Sequence, residues 1–214
     1  MLQYFYKRKT MIEFELKLEV ENFPDLSSLE QFDDKHIVDT YYDTKDYALL
    51  STGNFLRNRN NRKVDFKLNI GDASHTFCNE TRFNFEKFTP NKDLQAIFEN
   101  LGLRLNPNFE SFDSFLKANN LSLLAIIDKH RKSFKFDDLV VCLDEAKDIG
   151  KFIEIECMLP DNEKFDKDKL SSAMLEKLKN ANFLPPCKPV KIGYVELYLK
   201  RHNPPAYNLG LYKD

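Results

Sequence analysis

Residues 11–19 read MIEFELKLE, and charged and apolar side chains alternate along the whole stretch. Successive side chains of a β-strand point to opposite faces of its sheet. A strand over about residues 11–20 therefore places Glu13, Glu15 and Lys17 on one face and apolar side chains on the other. This alternation predicts that the fold begins with a strand whose two faces meet different environments.

The same alternation recurs along the chain. Arg57 and Arg59 are in phase with each other, and so are Glu154 and Glu156. Further strands are predicted over about residues 36–43, 54–60, 63–70, 74–85, 124–136, 139–146 and 151–159. Helices are predicted over about residues 26–32, 89–101, 109–119 and 165–181. The order of elements predicts one α+β domain over residues 11–214 on an antiparallel sheet, with residues 1–10 as an N-terminal extension.

Composition excludes several classes of protein. With 42% hydrophobic residues and only six Gly, the 214-residue chain can bury a full core and is not expected to be disordered. A formal net charge of -2 gives no overall attraction to nucleic acid. We expect no membrane span, because no run of about 18 apolar residues is present. The four cysteines form no CxxC pair, so reduced thiols and a cytoplasmic location are expected.

The charged faces of the strands admit two interpretations. A half-buried antiparallel strand normally turns its charged face to water, which explains any single strand here. Taken together, the strands favour the opposite arrangement, because Glu154 and Glu156 repel each other unless a cation lies between them. Helices that are apolar on one side can cover the outer faces of the sheet. We therefore predict a closed eight-stranded β-barrel with helices outside and paired charges inside.

Glu13, Glu15 and Lys17 form the ExExK pattern of the CYTH, or triphosphate tunnel metalloenzyme, superfamily, which this chain resembles. Further matches follow in order and at compatible spacing: Asp39-Thr40-Tyr41-Tyr42-Asp43-Thr44, Leu56-Arg57-Asn58-Arg59, Phe66-Lys67, Lys129-His130-Arg131, Asp144 and Glu154-Ile155-Glu156. ExExK alone is a weak signal, whereas the ordered set is specific. The DTYYDT stretch, the helical insertion after the fifth strand and the C-terminal tail make the chain most similar to thiamine triphosphatases.

The resemblance implies a role for each group of charged residues. Mg²⁺ or Mn²⁺ suits a set of carboxylates, because hard cations prefer oxygen ligands. The implied metal ligands are Glu13, Glu15, Asp144, Glu154 and Glu156. The implied triphosphate-binding residues are Lys17, Arg57, Arg59, Lys67, Arg131 and Lys191. The implied catalytic residues are Lys17, Arg131 and Glu80, of which Glu80 would orient a water molecule or a cationic neighbour.

The implied reaction is hydrolysis of the terminal phosphate of thiamine triphosphate or inorganic tripolyphosphate. Two alternatives remain open: a class IV-type adenylyl cyclase that makes cyclic AMP from ATP, and a non-catalytic polyphosphate-binding module. The expected partner is a small-molecule triphosphate, with no nucleic acid and no membrane, and the protein is expected to be a monomer or homodimer. The chain has no GxxxxGK[ST] phosphate loop, which excludes a P-loop mechanism.

Overall fold

The computed structural model describes residues 11–68, 79–84, 99, 102–103, 111–160 and 165–214. The described strands are β1 (Met11–Val20), β2 (Glu30–Thr44), β3 (Phe55–Arg59), β4 (Lys63–Leu68), β5 (Asn79–Asn84), β6 (Leu121–Phe136), β7 (Leu139–Ala146), β8 (Gly150–Pro160) and β9 (Cys187–Val190). The described helices are α1 (Ala48–Ser51), α2 (Phe112–Ala118), α3 (Lys167–Asn180), α4 (Tyr194–His202) and α5 (Pro204–Leu209). The strands form one sheet in the order β5-β4-β3-β2-β6-β7-β8-β1-β9.

The predicted α+β class and antiparallel sheet are confirmed, because every strand pairing is antiparallel. The strand number differs: a ninth strand, β9, pairs with β1 in a segment where we predicted no strand. Within the described residues, no ladder joins the two edge strands, β5 and β9. The predicted closed eight-stranded barrel is therefore not confirmed.

Other predicted elements had mixed outcomes. The predicted helix over residues 26–32 is wrong, because β2 already begins at Glu30. The helices predicted over residues 109–119 and 165–181 are confirmed as α2 and α3. The predicted N-terminal extension (residues 1–10), the helix predicted over residues 89–101 apart from Glu99, and the first part of the strand predicted over residues 74–85 lie outside the described residues.

Helices cover the outer, apolar face of the sheet in two places, which lie on either side of the central strands β2 and β6. Met174 and Leu178 of α3 pack against β1, β7 and β8, where Phe14 and Ile153 are fully buried. Helices α1 and α2 pack in the same way on β3 and β4, in a cluster that includes Phe66. Burying a side chain of this size stabilises the fold by about 1.5–3 kcal/mol. The apolar half of each alternating strand therefore faces the helices, and the charged half faces the concave side.

The C-terminal helices pack on the concave face itself. Val195 of α4 and Tyr207 of α5 share a buried cluster with Tyr41, Ile127 and Phe152 from the strands. This cluster fills one end of the concave face, and the charged residues occupy the remainder. No helix in the described part of the chain is long and apolar enough to cross a membrane.

Candidate active site

The concave face of the sheet surrounds a cavity of about 450 Å³. Because side chains of a strand alternate between its two faces, every second residue of the surrounding strands faces this cavity. Charged residues from different strands therefore lie close together there. The structure brings together nine of the predicted site residues along this cavity: Glu13, Glu15, Lys17, Arg57, Arg59, Lys67, Arg131, Glu154 and Glu156. We call the carboxylates on β1 and β8 the acidic wall, comprising Glu13, Glu15, Glu154 and Glu156. We call the cations on β3 and β4 the basic wall, comprising Arg57, Arg59 and Lys67.

The acidic wall contains a cluster of three carboxylates. Glu13, Glu15 and Glu156 each offer an oxygen within 4.8 Å of the others, and Glu15 lies directly opposite Glu156 across the β1–β8 ladder. Burial, followed by the charges of neighbouring carboxylates, raises the pKa of Glu156 to about 8. Three crowded oxygen ligands fit a hard divalent cation, which would relieve their mutual repulsion. This cluster is therefore the candidate metal site.

Glu154 lies two residues from Glu156 but is held by cations. One of its oxygens lies 3.1 Å from Lys17 Nζ, and the other contacts the Arg131 guanidinium. Burial alone would raise the pKa of Glu154, but the charges of Arg131, Lys129 and Lys17 outweigh it and hold that pKa well below its usual range. Glu154 is thus an ionised partner of Lys17 and Arg131. It is not a member of the three-carboxylate cluster.

Asp144 lies beneath the cavity, with its side chain completely buried. Its oxygens accept hydrogen bonds from Lys129 Nζ at 2.6 Å, from Arg131 Nε at 2.6 Å and from the Tyr194 hydroxyl at 2.8 Å. The structure therefore does not bring Asp144 to the carboxylate cluster, although we predicted it as a metal ligand. In this arrangement Asp144 orients two cations from below.

Tyr194, at the start of α4, is a site residue that the sequence reasoning missed. Its ring centroid lies 4.6 Å from Lys17 Nζ and 4.2 Å from Lys129 Nζ, distances at which a cation is attracted to an aromatic face. Its hydroxyl donates to Asp144, and its ring packs edge-on against Phe152 with the centroids 5.1 Å apart. Tyr194 thus contacts both buried lysines that line the cavity. A lone Tyr in the C-terminal tail gave no sequence signal for this.

Each arginine of the basic wall is held by a buried carboxylate. Asp39 accepts from Arg59 Nε at 2.7 Å and from Arg59 Nη2 at 2.8 Å, and Asp65 accepts from Arg57 Nη2 at 2.8 Å. Burial would raise the pKa of Asp39, but the hydrogen bond from Arg59 and the charges of Arg57 and Arg59 hold it below its usual value. These contacts fix the planar guanidinium groups in position before any ligand arrives.

The DTYYDT stretch serves both the site and its support. Asp39 holds the basic wall, and Tyr41 is buried at the edge of the cavity. Asp43 accepts the backbone N–H groups of Leu49 at 2.9 Å and Leu50 at 2.8 Å, which fixes the start of α1 behind the sheet. The stretch therefore positions a guanidinium group of the basic wall through Asp39 and the start of α1 through Asp43.

Besides Asp144, two further predicted residues are not among the described residues that line the cavity. Lys191 is exposed and does not line the cavity. Glu80 lies opposite Lys67 in the β4–β5 pairing, and its side chain lies outside the described residues. The cavity also has lining residues that we did not predict as site residues: Lys35, Asp39, Arg62, Lys63, Lys129, Tyr194 and Glu196.

Comparisons with known proteins agree with this architecture. The CYTH domain family model matches residues 11–182. The PH1819 protein of Pyrococcus horikoshii OT3 is 22% identical with a TM-score of 0.58, over 89% of this chain and 99% of that one. A Hippeastrum protein, described as a proposed adenylyl cyclase with a dominant triphosphatase activity, is 15% identical with a TM-score of 0.54, over 89% and 96% of the two chains. A proposed adenylate cyclase of Bacillus halodurans is 14% identical with a TM-score of 0.54, over 90% and 97%. No curated protein matches the chain significantly.

Proposed function

Because this chain belongs to the CYTH domain family, we propose that it is a metal-dependent triphosphatase. The substrate would be thiamine triphosphate or inorganic tripolyphosphate, and the reaction would release the terminal phosphate. One observation carries the proposal: a cluster of three carboxylates and a wall of oriented guanidinium groups line the same cavity. A triphosphate carries several negative charges, so it needs both a cation and a set of fixed hydrogen-bond donors.

Binding and orientation would be the work of the cations. Arg57 and Arg59 present donors that are already fixed by Asp39 and Asp65, so little side-chain freedom is lost when phosphate oxygens bind. Lys17, which is 7% exposed, would neutralise charge that develops on the transferring phosphoryl group.

The acidic wall would hold the cofactor. Glu13, Glu15 and Glu156 would bind Mg²⁺ or Mn²⁺ beside the phosphates. When bound, the ion would supply positive charge at the phosphoryl group and lower the pKa of a water molecule. Arg131 contacts both Glu154 and Glu156, with 3.3 Å between its Nη1 and Glu156 Oε1, so it would link the metal site to the phosphate site.

A substrate panel tests the proposal. The full chain is incubated with Mg²⁺ or Mn²⁺ and with tripolyphosphate, thiamine triphosphate or ATP, and phosphate, pyrophosphate and cyclic AMP are measured. We expect phosphate from tripolyphosphate or thiamine triphosphate, and its loss when EDTA is added. Cyclic AMP and pyrophosphate from ATP would establish the cyclase instead. Tight binding without turnover of any substrate would establish a polyphosphate-binding module.

A further inference from the structure

Three cations line the cavity beyond the positions that the motifs include. They are Lys35 on β2, Arg62 in the β3–β4 turn and Lys63 at the start of β4, and we call them the basic rim. Within the described residues, neither Arg62 nor Lys63 takes part in an ion pair. Lys35 contacts Asp33, but the two side chains are 47% and 33% exposed, so that pair contributes little. The basic rim therefore carries positive charge that the surrounding protein barely offsets.

The basic rim continues the phosphate-binding cations outward toward solvent. Lys35 lies directly opposite Arg131 in the β2–β6 ladder, and Lys63 lies directly opposite Arg59 in the β3–β4 ladder. Side-chain exposure rises along this path, from 5% at Arg57 to 27% at Arg59, and the rim residues Arg62 and Lys63 are exposed. Like charges directly opposite each other destabilise a sheet. An anion bound between them would remove that cost.

The turn that carries the rim is fixed to its neighbour. Asn60 and Asn61 have φ values of 53° and 54°, which Asn tolerates better than most residues and which a tight hairpin turn requires. The Asn60 N–H donates to Val38 O at 2.8 Å, and the Val38 N–H donates to the Asn60 side-chain oxygen at 2.7 Å. Arg62 therefore belongs to a turn that two hydrogen bonds between Asn60 and Val38 attach to β2.

On the basis of the proposed triphosphatase function, we infer that the basic rim binds further phosphates of a linear inorganic polyphosphate that extends out of the cavity. Each internal phosphate of such a chain carries about one negative charge, which matches a row of cations. Thiamine carries a positive charge, which this rim repels. A nucleobase needs a ring to stack on, and the aromatic residues that line the cavity within the described part of the chain, Tyr41, Phe55 and Tyr194, are all buried.

The test compares chain lengths in a rim variant and in a matched control. Arg62→Ala/Lys63→Ala removes two charges from the rim, and Lys169→Ala/Lys179→Ala removes two exposed charges from α3, away from the cavity. We expect the wild-type KM for a longer linear polyphosphate to lie below that for tripolyphosphate. The rim variant should raise the KM for the longer chain at least about fivefold and that for tripolyphosphate less than about twofold, because exposed ion contacts act locally in salt. The control variant should change neither value.

Three results would overturn the inference: no dependence on chain length, equal changes for both chain lengths in the rim variant, or a preference for thiamine triphosphate or for an RNA 5′-triphosphate. If no substrate is turned over, the proposed triphosphatase function fails. The basic rim is still tested in that case by calorimetric titration of the two polyphosphates, since the longer chain should bind more tightly and the rim variant should remove the difference.

Discussion

The acidic wall and the basic wall arise from the same sequence alternation, but their charges are balanced in different ways. On the basic wall, Arg57 and Arg59 each contact a carboxylate that is almost completely buried. On the acidic wall, three carboxylates crowd within 4.8 Å of one another, and the pKa of Glu156 rises to about 8. Arg57 and Arg59 are thus balanced by carboxylates of the protein itself, whereas under the proposed function the three-carboxylate cluster would be balanced by a bound cation.

Because of this difference, the two walls should respond to different changes. Metal and pH should change the state of the acidic wall, because its carboxylates compete for protons and cations. Removal of an internal carboxylate should change the basic wall, because its guanidinium groups depend on those partners for their orientation. The predictions below test this separation in order of expected effect.

Replacing Lys17 or Glu156 should have the largest effect. Lys17 contacts Glu15 and Glu154 at 3.1 Å each. We expect Lys17→Ala and Glu156→Gln each to lower kcat by at least about 100-fold, because the first removes a cation that would neutralise the transferring phosphoryl group and the second removes a ligand of the proposed metal site. Circular dichroism should show an unchanged fold. Wild-type rates in either variant would refute the site assignment.

Asp39→Asn should weaken the basic wall and the fold together. Asp39 is 4% exposed and contacts both Arg57 and Arg59, so its loss leaves two cations without their shared partner. We expect a free energy of unfolding lower by about 3 kcal/mol and a KM for tripolyphosphate raised about tenfold. Denaturant unfolding and steady-state kinetics measure the two effects. Asp168→Asn, at an exposed position on α3 away from the cavity, is the matched control.

The metal-free protein should lose stability as the pH rises. The pKa of Glu156 is about 8 in the folded protein and about 4.3 in an unfolded chain, so the folded state binds this proton more tightly. The resulting stabilisation is fully present below about pH 4 and is lost as the pH rises to about 8. Added Mn²⁺ should restore the melting temperature at pH 8.

Glu156→Gln sharpens this prediction, because the amide imitates the protonated carboxyl. At pH 8 without metal, the variant should melt at a higher temperature than the wild type and should gain little from Mn²⁺. A melting temperature of the metal-free wild type that does not change between pH 5 and pH 8 would contradict the proposed role of Glu156 in the carboxylate cluster.

Tyr194→Phe should have the smallest effect. The variant keeps the ring that lies near Lys17 and Lys129 and removes only the hydroxyl that donates to Asp144. We expect a loss of about 1 kcal/mol in unfolding free energy. The kcat should fall less than about tenfold with KM nearly constant, because the phosphate-binding arginines are untouched. Tyr194→Leu removes the ring as well and should lower kcat further.

Much of the site was predictable because a strand's alternation is a local property. Glu13, Glu15 and Lys17 had to share a face, and so did Arg57 and Arg59, whichever strands they paired with. The helical spacing of residues 165–181 likewise predicted α3, whose apolar side covers the outer face of the sheet. These patterns, with the ordered motif matches, predicted a cavity lined by charges of both signs.

The sequence did not predict which charged side chains contact one another. Glu154 and Glu156 have the same phase and chemistry, but the sheet order places Lys17 and Arg131 around Glu154 and places two carboxylates beside Glu156. Asp144 was predicted as a metal ligand, and the structure places it against Lys129 and Arg131, apart from the three-carboxylate cluster. These outcomes depend on which strands are neighbours, which no single segment encodes.

The sequence by itself determined which side chains lie on the same face of each strand, because the backbone repeats every two residues. Only the tertiary structure decided which faces meet, that Tyr194 arrives at the buried lysines from the C-terminal helix, and that Lys191 does not reach the cavity. The physical reason is that charge balance acts between residues far apart in the chain. Its result is therefore fixed by the packing of strands and helices, and the local pattern leaves it open.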